Sequence, residues 1–282
     1  MKILLDTAHL IRILEKSDPV SASALEAALR AGNHELVLSF ATVGELAAPL
    51  QHLNATTNVM RLFRALEELP LTYVADIRID RLELQAAIAA WRQGLEPARI
   101  DPFTDRLDRA LSLDGSMPPS PPGSGSLSEI VFAMWQVGIL GGNENFLSRF
   151  RPAVHANRQA GLPDRVGHLI AAVDRHCDLY SISFSRADLP AFGRWLIADW
   201  RRAPSTRLQN ELFRQLVANT RDAMQRGDFG DLIHTGSLAY VDFMTLDRRM
   251  AHYTAQAARA IGSDLSARIC SAPESVLERL RG

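Results

Sequence analysis

Four acidic residues sit where apolar runs meet helical stretches, and their placement is what could do chemistry. Asp6 closes the run "KILLD" (2–6), and Glu45 follows the run "HELVLSF" (34–40) by a few residues. Asp231 heads the segment "DLIHTGSLAYV", and Asp247 closes "DFMTLD" (242–247). A helix from Asp231 to about Val241 rises roughly 15 to 16 Å at ~1.5 Å per residue. A strand from Asp242 to Asp247 returns about 16 Å at ~3.3 Å per step. The two lengths nearly cancel. Asp231 and Asp247 are therefore expected on one sheet edge, with Asp242 roughly 16 Å away on the other, as a structural residue. Asp6 and Glu45 follow the carboxyl ends of two further strand candidates, and that is the edge where open α/β sheets bind ligands. Apart from Lys2 at the far end of the first run, no lysine lies near these acids in sequence, so four carboxylates would repel one another unless a cation neutralised them. Mg²⁺ or Mn²⁺ suits such oxygen donors. Two such ions can activate a water and stabilise the leaving oxygen of a phosphodiester.

The elements that must hold these acids read as β-α-α-β-α-α-β over residues 1–75. Strand candidates are 2–6, 34–40 and 71–75, with helices between them, including "SDPVSASALEAALRAG" (17–32), which has a Pro near its start and Gly32 at its end. That alternation predicts an α/β fold with a central, mainly parallel sheet flanked by helices. Residues 76–114 read as helical, 115–128 as a Pro/Ser/Gly linker, and 127 to about 224 as mostly helix, with "LYSISF" (179–184) a short strand or an apolar connection. The α/β pattern resumes after 228 and ends in a strand and helix over 266–280. The expected organisation is a split α/β domain, 1–75 with 228–282, carrying a helical insertion at 76–227.

Composition narrows the class. The chain has 282 residues, 47% of them apolar and 22% charged, and a net charge of −1; that describes a globular protein with no global basic field. Of 31 basic residues only Lys2 and Lys16 are lysines, and arginine suits phosphate contacts. The N-terminus makes a poor signal peptide, and "IVFAMWQVGILGG" (130–142) is too short to span a bilayer. Cys177 and Cys270 form no disulfide framework, and the His176–Cys177 pair lacks the spacing of a zinc site. A reducing cytoplasm is the expected compartment. Trp135, Trp195 and Trp200 fall in helical stretches and read as core.

The segments "ILLDTAHLI", "LVLSFATVGEL" and "GDLIHTGSLAYVDFMTLDRRM" resemble the three acidic blocks of the PIN-domain nucleases. The resemblance covers about 1–50 and 228–275, and differs from a compact PIN domain in the length of chain between the second and third blocks. It implies a metal-dependent ribonuclease in which Asp6, Glu45, Asp231 and Asp247 bind Mg²⁺ or Mn²⁺. Thr245 matches the small hydroxyl residue these proteins often carry two positions before the last aspartate. The resemblance also implies RNA as substrate and allows an antitoxin-like protein partner, while the helical segment could shape substrate access or form a homodimer face. No membrane partner is expected.

Around the acids, Arg248 and Arg249 could hold RNA phosphates near the metals or form a solvated pair. His234, three residues after Asp231 and on its helix face, could orient a phosphate or be a hydrogen-bonded helix histidine. Thr7 could cap a helix or assist the site. The alternative to a nuclease is a PIN-like binding or scaffold module without catalysis. An unrelated α/β hydrolase is disfavoured, because G-x-S-x-G, a P-loop and the dinucleotide fingerprint are all absent.

Overall fold

The computed structural model describes residues 1–15, 22–51, 55–112, 125–136, 154–159, 161, 164–222, 225, 228–271 and 274–281. Five parallel strands form the sheet: β1 (Lys2–Leu4), β2 (Glu35–Ser39), β3 (Leu71–Val74), β5 (Phe243–Thr245) and β6 (Ile269–Cys270). A sixth, β4 (Phe103–Thr104), lies antiparallel to β3, giving the order β4-β3-β2-β1-β5-β6. The fold is α/β with a mostly parallel sheet, as the alternation of runs predicts. Both edge strands are two residues long.

The apolar runs are continuous because the inner strands are covered on both faces. Ile3 and Leu5 point into one core cluster and Leu4 into another, and Leu36 and Leu38 likewise divide from Val37. The first cluster is roofed by α1 (Thr7–Leu14), α2 (Ala22–Ala31) and α4 (Thr56–Glu67), joined by α7 (Leu127–Gln136) and the C-terminal helix α14 (Glu274–Arg281). The second is roofed by α11 (Pro204–Ala218) and α13 (Arg248–Ala260), with Ile79 at the start of α5 (Ile79–Gln93). Leu208, Leu212 and Leu216 repeat every four residues along α11 and are all buried, the stripe that docks a helix onto a sheet. Truncating one such leucine to alanine costs about 2–5 kcal/mol. A third cluster contains no strand residue: α5, α9 (Arg165–Leu179) and α10 (Leu189–Ala198) pack around Phe192, with Phe184 from the connection between α9 and α10 against it. The stretch 76–227 thus supplies this helical layer, but also the edge strand β4 and the sheet-packed α11.

Several expectations change in detail. The helix expected over 231–241 is α12 (Asp228–Gly236), which tightens into a 3₁₀ turn at Ser237–Ala239. The strand after it spans only Phe243–Thr245. Residues 76–114, expected to be helical throughout, contain α5 and the short α6 (Leu107–Ser112), but also β4. The apolar run at 179–184 forms no strand; it is a connection between α9 and α10. Most of the linker at 115–128 lies outside the described residues, and its last two residues, Leu127 and Ser128, begin α7. Trp195 and Trp200 pack against the third and second clusters and Trp135 against the first. Among the described residues no helix is long and apolar enough to cross a membrane.

Candidate active site

One local pattern, strand–Leu–Asp–helix, is used twice on neighbouring strands. After β1 come Leu5, Asp6 and then α1; after β5 come Leu246, Asp247 and then α13. Leu5 and Leu246 are buried and anchor the end of each strand, so the following aspartate emerges at the carboxyl edge. The strands pair directly, Leu4 opposite Met244. Asp6 and Asp247 are therefore within one residue of register. Each is the residue preceding its helix, but they differ in use. Asp247 caps α13, its Oδ1 accepting from Met250 N at 2.7 Å. The Asp6 side chain makes no capping bond to α1.

Glu45 reaches the same space from α3 (Phe40–Ala47), which begins directly after β2. Its Oε2 accepts a short hydrogen bond from the Thr7 hydroxyl. The start of α3 is fixed by a buried carboxylate that follows the apolar run 71–75: Asp76, just past β3, accepts from Phe40 N at 3.0 Å and Ala41 N at 3.1 Å. Burial pushes Asp76 up to about 6, against those two amides. Asp231 comes from the first turn of α12. The preceding residue has no side chain for a physical reason: a Cβ on Gly230 would stand 2.6 Å from Glu45 Oε1. That glycine lets the Glu45 carboxylate lie against the helix that carries Asp231.

The four acids are near enough for their charges to act on one another. Burial, and then the charges of Asp6, Glu45, Asp247 and Asp228 in that order, push Asp231 up to about 8. Burial also raises Asp6, with Asp247 adding to the shift and His9 opposing it, and His9 Nδ1 lies 3.9 Å from Asp6 Oδ2. Burial raises Glu45 as well, opposed by the Thr7 hydroxyl and reinforced by Asp6. No described lysine or arginine pairs with any of the four. The arrangement is a cluster of like charge, with Asp6, Glu45 and Asp231 partly buried and Asp247 exposed, whose donor chemistry suits a hard divalent cation. As placed, however, no three His, Cys, Asp or Glu side chains among the described residues converge closely enough to form a ready cation cage.

The residues expected to touch substrate separate into different roles. Thr245 is fully buried, and its Oγ1 accepts from Asp6 N at 2.7 Å; it positions Asp6 and does not reach out to a substrate. His234 is also turned inward. Its Nδ1 lies 3.3 Å from Ser39 Oγ and 3.5 Å from Thr42 Oγ1, and burial pushes it down to about 4, a neutral ring at ordinary pH. The Arg249 guanidinium is occupied, bonding Asp222 through Nε at 2.8 Å and Asp228 through both terminal nitrogens. Asp228, 1% exposed, is the buried counter-charge that sequence reasoning missed; it lies in the same "DFGD" turn as Asp231. Arg248 alone of the set is exposed, at the first position of α13 beside Asp247.

Asp242 lies at the opposite edge, accepting from Lys2 N at 2.6 Å while its own N–H donates to Lys2 O at 2.8 Å. It pins the start of β1. No family model, no curated protein and no solved structure matches this chain.

Proposed function

We propose that the chain is a divalent-cation-dependent nuclease that hydrolyses RNA phosphodiester bonds on a PIN-like α/β scaffold. The observation that supports this best is that Asp6 and Asp247 leave paired strands within one residue of register while Glu45 lies against Gly230, the residue before Asp231, so four separate segments bring acids to one sheet edge. Natural proteins seldom gather carboxylates in a half-buried space without a cationic partner unless an ion is to be held there. Asp6, Glu45, Asp231 and Asp247 would hold Mg²⁺ or Mn²⁺, which supplies neutralising charge and polarises a phosphoryl oxygen and a water.

The chain's own contribution is positioning. Thr245 holds Asp6 through its backbone, the Thr7 hydroxyl orients one oxygen of Glu45, and Met250 N occupies one oxygen of Asp247. Three of the four acids thus have a fixed partner, and their remaining oxygens are left for the ligand. Arg248, exposed beside Asp247, is the cation available to a phosphate of the bound strand.

A second reading, a PIN-like binding or scaffold module without catalysis, draws on the absence of a ready cage among the described side chains. One assay separates the two. Purified wild type and Asp6→Asn are incubated with Mn²⁺ and fluorescent single-stranded and hairpin RNA. The nuclease reading expects cleavage by wild type that falls more than about 100-fold in the variant. Equal cleavage by both would locate the activity elsewhere, and no cleavage with retained Mn²⁺ binding would favour the module.

A further inference from the structure

Between α9, α10, α11 and the end of α13 lies a cavity of about 310 Å³, at the small end of the range that holds organic ligands. It stands apart from the four acids, in contact with none of them. One wall is apolar, with Leu169 from α9 and Ile197 from α10; another is cationic, with Arg165 from α9 and Arg207 from α11.

Arg207 is the unusual group. It is 8% exposed, and one terminal nitrogen donates to Leu196 O. It makes no ion pair among the described residues. The one carboxylate lining the cavity is Glu211, and it is already engaged: Arg214 grips it in a two-point fork at 2.8 and 3.0 Å, and Arg165 stands 3.4 Å from it. Burial pushes the Arg207 guanidinium down to about 10, so it remains charged near neutral pH. Glu211 and Asp199 act on it only through space, and a buried charge that no described carboxylate pairs with carries a large desolvation penalty unless something supplies a partner. Asn210 adds a donor to the same wall. Its Oδ1 faces His168 Nδ1 at 3.2 Å, which leaves its NH₂ as the end free to donate.

Two arginines and an amide donor facing a short apolar wall define the ligand's chemistry. We propose that this cavity binds a small organic anion, with a carboxylate or phosphate head held by Arg207, Arg165 and Asn210 and a short apolar tail against Leu169 and Ile197. The lining carries two positive charges against the one of Glu211, so a single negative head balances it.

The test is calorimetric titration and thermal melting in EDTA, which keeps the result independent of any nuclease activity. The probes are hexanoate, hexyl phosphate, inorganic phosphate and hexanol. At least one of the two alkyl anions should bind and raise the melting temperature, and whichever binds identifies the head group. Arg165→Gln, at an exposed position whose one hydrogen bond among the described residues is to Ala260 O, should weaken binding about 10-fold, as should Arg207→Lys, which keeps the buried charge but loses the planar fork. The proposal is overturned if neither alkyl anion binds, if hexanol binds as well as they do, or if inorganic phosphate matches hexyl phosphate. Undiminished affinity in both arginine variants would overturn it too.

Discussion

Asp231 carries the largest charge burden at the carboxyl edge, and its behaviour with pH follows from that. The unfolded chain releases this proton near the ordinary value of 3.8, whereas the folded chain keeps it up to about 8. Between those values the folded state binds more protons than the unfolded one, so stability falls as pH rises through the window. The melting temperature of cation-free protein should therefore decline from about pH 4 to about pH 8, and Asp231→Asn should flatten that part of the profile. A profile unchanged in the variant would mean the four acids do not interact. Mn²⁺ should raise the melting temperature more at the upper end of the window than at the lower, because binding must displace the proton below it. Thr245→Val makes a different point. It leaves Asp6 N without its acceptor, an expected loss of about 1–3 kcal/mol, and it should also weaken Mn²⁺ binding, which titration would read directly.

At the scale of elements, the site depends on how closely α12 approaches α3. Gly230→Ala should help the helix locally by about 1 kcal/mol, yet its methyl would push on the Glu45 carboxylate. The expected signature is a melting temperature that is unchanged or higher without cation, with a smaller gain when Mn²⁺ is added. An equal gain in both proteins would show that Glu45 has room to move. The inner strands were legible in the sequence because buried parallel strands write themselves as continuous apolar runs; Asp6, Glu45 and Asp247 were singled out by following such runs, and Asp231 by heading the helix that precedes one. Asp242 could be separated from Asp247 by counting helix rise against strand rise. Other features left no such trace. β4 is two residues long, too short to show any period; Asp76 closes the run 71–75 and Asp228 begins α12, but the groups each one holds lie well away in the sequence. The inward turn of Thr245, His234 and Arg249 depends on partners distant in sequence, Ser39 and Asp222 among them, that no local pattern reveals.

Across the whole molecule, Glu83 ties the helical layer to the sheet. Buried on α5, it accepts from Ser205 N, Thr206 N and the Thr206 hydroxyl, each at 2.8 Å, and from the Tyr240 hydroxyl at 2.6 Å. One carboxylate thus caps α11 and secures the turn before β5, although burial raises it to about 7. Glu83→Ala would strand several donors at once, and urea unfolding should show a loss of roughly 3 kcal/mol or more; Glu83→Gln, which keeps two acceptor lone pairs, should lose less. An unshifted midpoint in the alanine variant would show that packing alone joins the layers. The sheet's two short borders have a further effect on the molecule's behaviour in a crowded solution. A two-residue margin presents almost no free backbone ladder to a neighbouring chain. If this protein self-associates, strand-to-strand growth is therefore a poor route, and the contact would have to be made through its helices.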